Sequence, residues 1–366
     1  MKVCHLTSAH SRYDTRIFIK QCKSLASNGF DVSLIVADGL GDENKDGINF
    51  FDVGQKSKNR LSRFIVTTKK VYKKALKLNA DIYHFHDPEL MFFAYILKLK
   101  GNEVIYDVHE DLPRQLLSKP YLGNLSKKLL SFFIEKMENY FASRYTAIVT
   151  ATSFIKDRFI KINCETIDVN NFPLLSEFED FSNKPKQNEI CYVGGLSEVR
   201  GIFEIIESLN YLNSIRLNLA GLFNDSSFEK KVKNQPSWSK VNELGFLDRN
   251  GIKEVYSKSK IGLVTLHPII NYVDALPVKM FEYMASGLAV IASDIPLWKK
   301  IIEESKCGVC VNPLNSKDIA NAVDEMIQNP EALKEMGENG RKAIVQNYNW
   351  SNEEEKLLML YRTILA

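Results

Sequence analysis

Long apolar runs are scarce in this chain. The longest, residues 90–97, stops at eight, whereas a helix that crosses a bilayer needs about 20. The first strand follows Met1 and Lys2 directly, so we expect no secretory signal. These features predict a cytoplasmic protein whose contact with a membrane, if it has one, is peripheral and on the inner face.

Cysteine pairs and nucleotide-binding glycine motifs are also rare. The six cysteines are scattered, and the pair Cys307 and Cys310 has no second pair to complete a zinc site. We expect reduced thiols with a structural role. No GxGxxG follows the first strand, which argues against a dehydrogenase, and no DxD motif is present.

The composition is that of an ordinary globular protein, with 45% hydrophobic and 25% charged residues. The net charge of +3 does not by itself indicate a nucleic-acid partner. A length of 366 residues suits two domains of roughly 150–200 residues each.

Short apolar strands alternate with helical stretches, which favours parallel sheets covered on both faces. The pattern breaks at the polar stretch 174–188 and restarts at 189. We therefore predict an α/β fold of two tandem doubly wound Rossmann-like domains, residues 1–173 and 189–348, joined by the linker 174–188. The final helix, about 349–366, is expected to pack back on the first domain. Ligands of such sheets bind at the carboxyl ends of the strands, so the predicted site is a cleft that the two domains face.

Residues 271–294 carry the strongest motif. Pro277 opens a predicted helix, and Lys279 lies in its first turn, where a bound anion would compensate its unfavourable position against the helix dipole. Asp274 and Glu282 can accept hydrogen bonds from sugar hydroxyls. Alternatively, this is a helix with scattered charges.

A second motif begins at the end of a strand with Gly194 and Gly195, whose lack of side chains lets the backbone approach a ligand closely. Arg200 opens the next helix and can clamp a diphosphate. We predict that Arg200 and Lys279 bind the same anion.

Together these motifs resemble the donor site of retaining GT-B transferases of glycosyltransferase family 4. That family carries two acids separated by seven residues, matched here by Asp274 and Glu282, with Asp in place of the usual first Glu. Gly195 replaces an Arg of the family pattern, and Arg200 occupies the place of its Lys. The resemblance implies that Glu282 holds the ribose and that Asp274 touches the donor sugar. It implies a donor site made of Gly194, Gly195, Arg200, Phe246, Asp274, Ala275, Leu276, Lys279 and Glu282.

Phe246 follows a strand of the second domain. The resemblance implies that it lines the base pocket, where its ring can stack on the base. The alternative is a packed core aromatic.

In the first half, polar residues follow two strands, at 83–89 and 106–111. A metal site is one interpretation, because His84, His86, Asp87, His109 and Glu110 are all possible ligands. The resemblance favours another, in which no metal is needed and His109 lies near the anomeric carbon. The catalytic residues are then His109, Asp274, Arg200 and Lys279. The polar loop after the first strand is expected to face the same cleft, so that His10, Arg12 and Arg16 contact the acceptor or a phosphate, and Glu110 is a further acceptor contact.

The resemblance implies an enzyme that moves a hexosyl group, with retention, from a nucleotide-diphosphate sugar to a glycan or polyprenyl-diphosphate-linked acceptor. UDP is favoured over GDP, no cofactor is needed, and the expected context is capsule, O-antigen or exopolysaccharide assembly. A nucleotide-sugar 2-epimerase and a non-catalytic nucleotide-sugar-binding protein remain alternatives.

The chain carries no acid between Asp52 and Asp81 but nine basic residues, and residues 114–145 are basic and apolar. We hypothesise contact with an anionic membrane; the alternative is a solvated helix face. The nine are Lys56, Lys58, Arg60, Arg63, Lys69, Lys70, Lys73, Lys74 and Lys77.

Overall fold

The computed structural model describes residues 1–57, 59, 62–117, 123–181 and 187–365. The chain forms two compact units: Met1–Asn171 with Trp350–Ala366, and Phe172–Asn349. Each unit contains one mainly parallel sheet with helices between its strands, which confirms the predicted α/β class.

The sheet of the first unit has the strand order β3-β4-β2-β1-β5-β6-β7-β8 and is parallel except between β3 and β4. Its central strands β1, β5 and β6 bring their carboxyl ends to the same edge of the sheet. The strands are β1 Lys2–Leu6, β2 Asp31–Val36, β3 Glu43–Lys45, β4 Ile48–Asp52, β5 Ile82–Phe85, β6 Glu103–Val108, β7 Ala147–Thr150 and β8 Thr166–Asp168.

Strand β3 was not predicted. It pairs with β4 through a two-residue turn at Asp46 and Gly47, both with positive φ (52° and 76°). Asp-Gly is a strong signal for such a hairpin turn, but the strand itself is three polar residues, which no apolar pattern marks.

The helices of the first unit cover both faces of its sheet, as parallel strands require. The π-helical segment Thr15–Cys22, capped by the Asp14 carboxylate, runs into α1 (Lys23–Ser27). A second π-helical segment, Arg63–Thr67, runs into α2 (Thr68–Leu78). The 3-10 turn Pro88–Leu90 precedes α3 (Met91–Leu99), and α4 (Leu112–Leu117), α5 (Asn124–Ala142) and α6 (Ser153–Phe159) follow.

The second unit has six parallel strands in the order β11-β10-β9-β12-β13-β14. They are β9 Glu189–Val193, β10 Arg216–Ala220, β11 Val241–Gly245, β12 Ile261–Val264, β13 Ala289–Ser293 and β14 Gly308–Val311. The helices are α7 Ile202–Ser208, α8 Ser226–Lys233, α9 Arg249–Lys258, α10 Val278–Ala285, α11 Pro296–Ser305, α12 Ser316–Gln328 and α13 Pro330–Gln346. Four 3-10 segments complete the unit: Leu175–Phe181, Glu198–Arg200, Leu209–Tyr211 and Pro236–Lys240.

The last helix, α14 (Trp350–Leu365), belongs to the first unit. Trp350 Nε1 donates to Ser24 Oγ at 2.9 Å. The backbone N–H of Asn170 donates to the Glu353 carboxylate at 2.7 Å. These hydrogen bonds at buried positions hold the helix on the first unit. They also give the buried polar groups the partners that such groups need.

The predicted linker 174–188 contains packed structure. Phe178 is buried in a core cluster of the second unit, and Glu177 pairs with Arg249. Residues 182–186 of this stretch lie outside the described residues. Among the helices that the structure describes, none combines the length and apolar character that crossing a membrane requires.

Candidate functional site

A tight turn follows β9 in the second unit. Gly194 has a φ of 134°, and a Cβ built there would lie 2.9 Å from Lys279 Nζ. Gly201, with a φ of 71°, would place a Cβ 2.0 Å from the Thr265 carbonyl oxygen. Only glycine fits these two positions without displacement of neighbours, so the turn closes tightly around the cations beside it.

Two cations face this turn. Lys279 is the second residue of α10. Its ammonium is buried, lies 3.6 Å from the Tyr192 ring centroid and has no hydrogen-bond partner among the described residues. Arg200 Nη1 lies 3.4 Å from the Cβ position of Gly194. Within the described part of the chain, neither cation forms an ion pair with a carboxylate. The two side chains therefore converge on the turn, and their binding of the same anion stays a prediction.

The Lys279 ammonium is electrostatically strained. Burial and then repulsion by Arg200 lower the pKa of Lys279 well below its ordinary value of 10.5. A buried charge without a partner is costly. The Glu282 carboxylate and the Tyr192 ring offset this cost only in part, and a bound polyanion would supply the rest.

Helix α10 begins beside these cations. Pro277 is its N-cap, with β-region backbone angles and no side-chain cap, so the first backbone N–H groups are available to an anion. The preceding loop is held by Trp298, whose Nε1 donates to the Ala275 carbonyl oxygen at 2.7 Å. Asp274 and Leu276 are half-buried in the same loop.

Glu282 has partners that the sequence did not reveal. Its Oε1 accepts from Arg249 Nη1 at 2.6 Å and its Oε2 from Tyr256 Oη at 2.8 Å. Arg249 also donates through Nε to Glu177 at 3.0 Å. These partners lie 33 and 26 positions from Glu282 in the sequence, and no local motif links them. Each carboxylate oxygen keeps a second lone pair, so ribose binding by Glu282 stays a prediction.

Phe246 lies immediately after β11 and is 77% exposed. The alternative of a packed core aromatic is therefore wrong. An exposed ring can stack on a base, and that role stays a prediction.

At the carboxyl edge of the first unit's sheet, His10 and His109 come together. Their ring centroids are 4.9 Å apart, and both side chains are partly exposed. His109 Nε2 lies 3.1 Å from Asp107 Oδ2. Glu110 is exposed and accepts a hydrogen bond from Gln115.

Arg12 and Arg16 were predicted to contact the acceptor. In the structure, both side chains instead form ion pairs within the first unit. Arg12 donates to both carboxylate oxygens of Asp38, each at 2.7 Å. Arg16 donates to both oxygens of Asp107, at 3.0 and 2.6 Å, and to the Val169 carbonyl at 2.7 Å. Both side chains are about 4% exposed. The sequence could not show this, because the acids that pair with them come from distant strands and loops.

Potential metal ligands do occur in this unit. Ligand atoms of His84, His86 and Asp107 lie within 4.8 Å of one another. However, Arg16 already occupies both oxygens of Asp107, and both ring nitrogens of His86 have partners, His5 at 2.9 Å and Asp107 at 3.0 Å. A metal ion would have to displace a guanidinium, so these residues as arranged do not fit one.

Comparisons with known proteins agree with this geometry. The family model for Glycosyltransferase Family 4 matches residues 15–169, and the model for Glycosyl transferases group 1 matches 176–343. Alpha-D-kanosaminyltransferase of Streptomyces kanamyceticus is 21% identical over 297 residues, 75% of this chain and 74% of that protein.

Solved structures of similar fold cover the whole chain. Sucrose-phosphate synthase from Thermosynechococcus elongatus has a TM-score of 0.79 at 16% identity, over 100% of this chain and 99% of that one. Anabaena HepE in complex with UDP-glucose has a TM-score of 0.73 at 13% identity, over 99% and 100%. At such identities, the likeness shows a shared fold.

Proposed function

Because the chain belongs to the family 4-like glycosyltransferases of the GT-B fold, we propose that it transfers a hexosyl group from a UDP-sugar to a glycan or lipid-linked glycan. One observation carries the proposal: the buried Lys279 ammonium and Arg200 face the Gly194 turn without a carboxylate partner among the described residues. A nucleotide diphosphate has the charge and size to bind both. The structural neighbour HepE was solved with UDP-glucose, which supports UDP as the nucleotide.

Catalysis follows from the same charges. As the bond between the sugar and the diphosphate breaks, negative charge grows on the leaving oxygen. Lys279, Arg200 and the N-terminus of α10 are already oriented toward that position, and such preorganised groups supply the main stabilisation of a transition state. These cations supply the role that a metal ion plays elsewhere, so we expect turnover to persist in EDTA.

The remaining roles follow the family resemblance. Asp274 contacts donor-sugar hydroxyls, Glu282 holds the ribose, and His109 lies near the anomeric carbon and orients the reacting sugar. The acceptor hydroxyl attacks on the face from which the nucleotide leaves, and the anomeric configuration is retained.

The test is a donor panel with product analysis. UDP- and GDP-sugars are incubated with the protein, with and without lipid-linked glycan acceptors, and UDP release and product anomers are followed by NMR. Transfer from a UDP-sugar with retained configuration supports the proposal. Epimerisation of the donor alone would identify an epimerase instead, and nucleotide binding without turnover would identify a sensor.

The acceptor proposal rests on the exposed face of α5. On the buried side of this helix, Glu138 is fully buried against Arg158 and Tyr106, and Ala142 joins the core. Its outward face carries large apolar side chains that are 40–73% exposed. These are Leu125, Leu129, Phe132, Phe133, Met137 and Tyr140.

Exposed cations accompany this face: Lys128 and Lys136 on α5 and Arg144 just beyond it. In the basic stretch, Arg63 pairs with Glu89 and Lys58 and Arg60 lie outside the described residues, but Lys69, Lys70, Lys73 and Lys77 on α2 are exposed. Apolar side chains beside cations suit the surface of an anionic bilayer. A membrane-bound acceptor, such as a polyprenyl-diphosphate glycan in surface-polysaccharide assembly, fits this surface.

Vesicle sedimentation tests this part separately. We expect binding to vesicles with anionic lipid, weaker binding to neutral ones, and loss in the double variant Phe132→Ser, Phe133→Ser. Met359→Ser, which alters an apolar residue 66% exposed on α14, is the control. Equal binding to both vesicle types, or concentration-dependent dimerisation through α5, would remove the membrane proposal.

A further inference from the structure

Five of the six histidines of this chain lie in the first unit, around the carboxyl ends of β1, β5 and β6. Donor binding in the second unit does not explain them. They are His5, His10, His84, His86 and His109. Four of them are linked through Asp107 or Tyr361 by contacts of 2.8–3.4 Å.

The direction of each hydrogen bond follows from the carboxylate. Burial alone would raise the pKa of Asp107, but the Arg16 guanidinium beside it holds that pKa well below its usual range. A carboxylate only accepts, and Asp107 Oδ2 accepts from Arg16 Nε at 3.0 Å and from Gln21 Nε2 at 2.8 Å. His86 Nδ1 lies 3.0 Å from the same oxygen and carries the proton, because a lone pair there would face a negative charge. Burial lowers the pKa of His86 to about 3, so the ring is neutral and its Nε2 is an acceptor.

The next link is fixed in turn. His5 Nδ1 lies 2.9 Å from His86 Nε2 and must donate to it. Burial lowers the pKa of His5 as well, so His5 Nε2 carries no proton. The partner of this nitrogen is the hydroxyl of Tyr361 on α14, 3.4 Å away, whose oxygen also lies 2.8 Å from His84 Nδ1. When His84 Nδ1 donates to that oxygen, the hydroxyl proton is left for His5, and one chain of donors runs from the C-terminal helix to Asp107.

The same rule applies to His109. Its Nε2 lies 3.1 Å from Asp107 Oδ2, and a lone pair there would face a negative charge, so Nε2 carries the proton. In the neutral ring, Nδ1 is then the acceptor. The His109 side chain is 19% exposed, so this nitrogen belongs to a group that a substrate can reach.

We propose that Asp107, His86, His5 and Tyr361 are positioning residues that hold His109 in the tautomer with the proton on Nε2 and present its Nδ1 as the acceptor. This inference rests on the role proposed above for His109 near the donor sugar. The hydrogen-bonded chain joins α14 to His109, so the last helix of the protein sets the tautomer of a residue on a different element.

Nitrogen-15 NMR of the full-length protein, labelled at histidine, tests the proposal without donor or turnover. His→Gln variants assign each ring. We expect His109 protonated at Nε2 and His5 and His86 protonated at Nδ1, the form that free histidine favours less. The proposal would be overturned if the His109 ring exchanged between its two tautomers in the wild-type protein, or if its proton were on Nδ1. Binding of Zn²⁺ alone to His84 and His86 would also overturn it and would identify a metal site. Because the readout needs no catalysis, it can fail while the transferase proposal holds, and the reverse.

Two variants sharpen the test. Tyr361→Phe removes the hydroxyl at the end of the chain, and we expect His5 to lose its single tautomer and kcat to fall several-fold with an unchanged KM for the donor. Tyr83→Phe is the matched control, because the buried Tyr83 hydroxyl bonds only backbone groups of Ala75 and Ala80 in the contacts described. Equal effects of both variants would reduce Tyr361 to a packing residue and overturn its role.

Discussion

The two units treat their buried cations in opposite ways. In the first unit, Arg12 and Arg16 form ion pairs with the carboxylates of Asp38 and Asp107. In the second, Arg200 and Lys279 meet no carboxylate among the described residues and face a glycine turn. Basic residues near strand ends therefore have different roles in the two units. The first pair stabilises the fold, and the second is completed by a ligand.

Among the substitutions that test this difference between the units, Arg16→Ala should have the largest effect, which is on the free energy of unfolding. Arg16→Ala leaves Asp107 buried without its main partner, and breaking a buried pair costs about 3–5 kcal/mol of unfolding free energy. Urea denaturation followed by a probe in the first unit measures it. Arg200→Ala, which breaks no such pair, is the control and should change stability far less. Equal losses in the two variants would contradict the distinction between the units.

Activity should show the reverse order. Lys279→Met and Arg200→Ala should each cost about 2–4 kcal/mol in kcat/KM, roughly 30- to 1,000-fold. Lys279→Met should leave the free energy of unfolding unchanged or raise it, because it removes a buried group that lacks a partner. Lys317→Met, on an exposed face of α12, should do neither. Wild-type turnover in folded Lys279→Met would show that the donor site lies elsewhere.

Binding of UDP should take up a proton. Lys279 has a lowered pKa without an anion, and a bound diphosphate raises it again, so between the lowered pKa and the ordinary 10.5 the neutral Lys279 amine gains a proton on binding. Affinity should therefore fall as pH rises through that window. Calorimetry in buffers of different ionisation enthalpy measures the uptake, and Lys279→Met should abolish it. Identical heats in all buffers for the wild type would count against Lys279.

The smallest expected effect concerns the base. Phe246→Ala removes a stacking surface and should weaken UDP binding by about 1 kcal/mol, roughly fivefold. Leu314→Ala, at another exposed apolar residue of the same unit, should have no effect. An unchanged affinity in Phe246→Ala would remove the ring from the base pocket.

Features that depend on residues close together in the sequence could be predicted. The short apolar runs 190–193 and 289–292 form most of β9 and β13, and the position of Lys279 against the helix dipole pointed to an anion.

Long-range pairing could not be predicted. Arg16 and Asp107 are 91 positions apart, and His84 and Tyr361 are 277 apart. The resemblance gave roles to Glu282 and His109 but not the partners that hold them. A buried arginine can pair with any carboxylate that the fold brings next to it. Only the three-dimensional structure therefore shows which cations lack such a pair and are available to a ligand.

The central claim is that Arg200 and Lys279 bind the diphosphate of UDP, and a thermal-shift panel tests it most directly. Wild type, Lys279→Met and Lys317→Met are melted with UDP, GDP, CMP and NAD, each with and without EDTA. A ligand at 100 times its Kd adds about 2.7 kcal/mol of stability. We predict that UDP raises the Tm of the wild type and of Lys317→Met, with or without EDTA, but not that of Lys279→Met. An equal shift in all three proteins, or a response to NAD alone, would contradict the account.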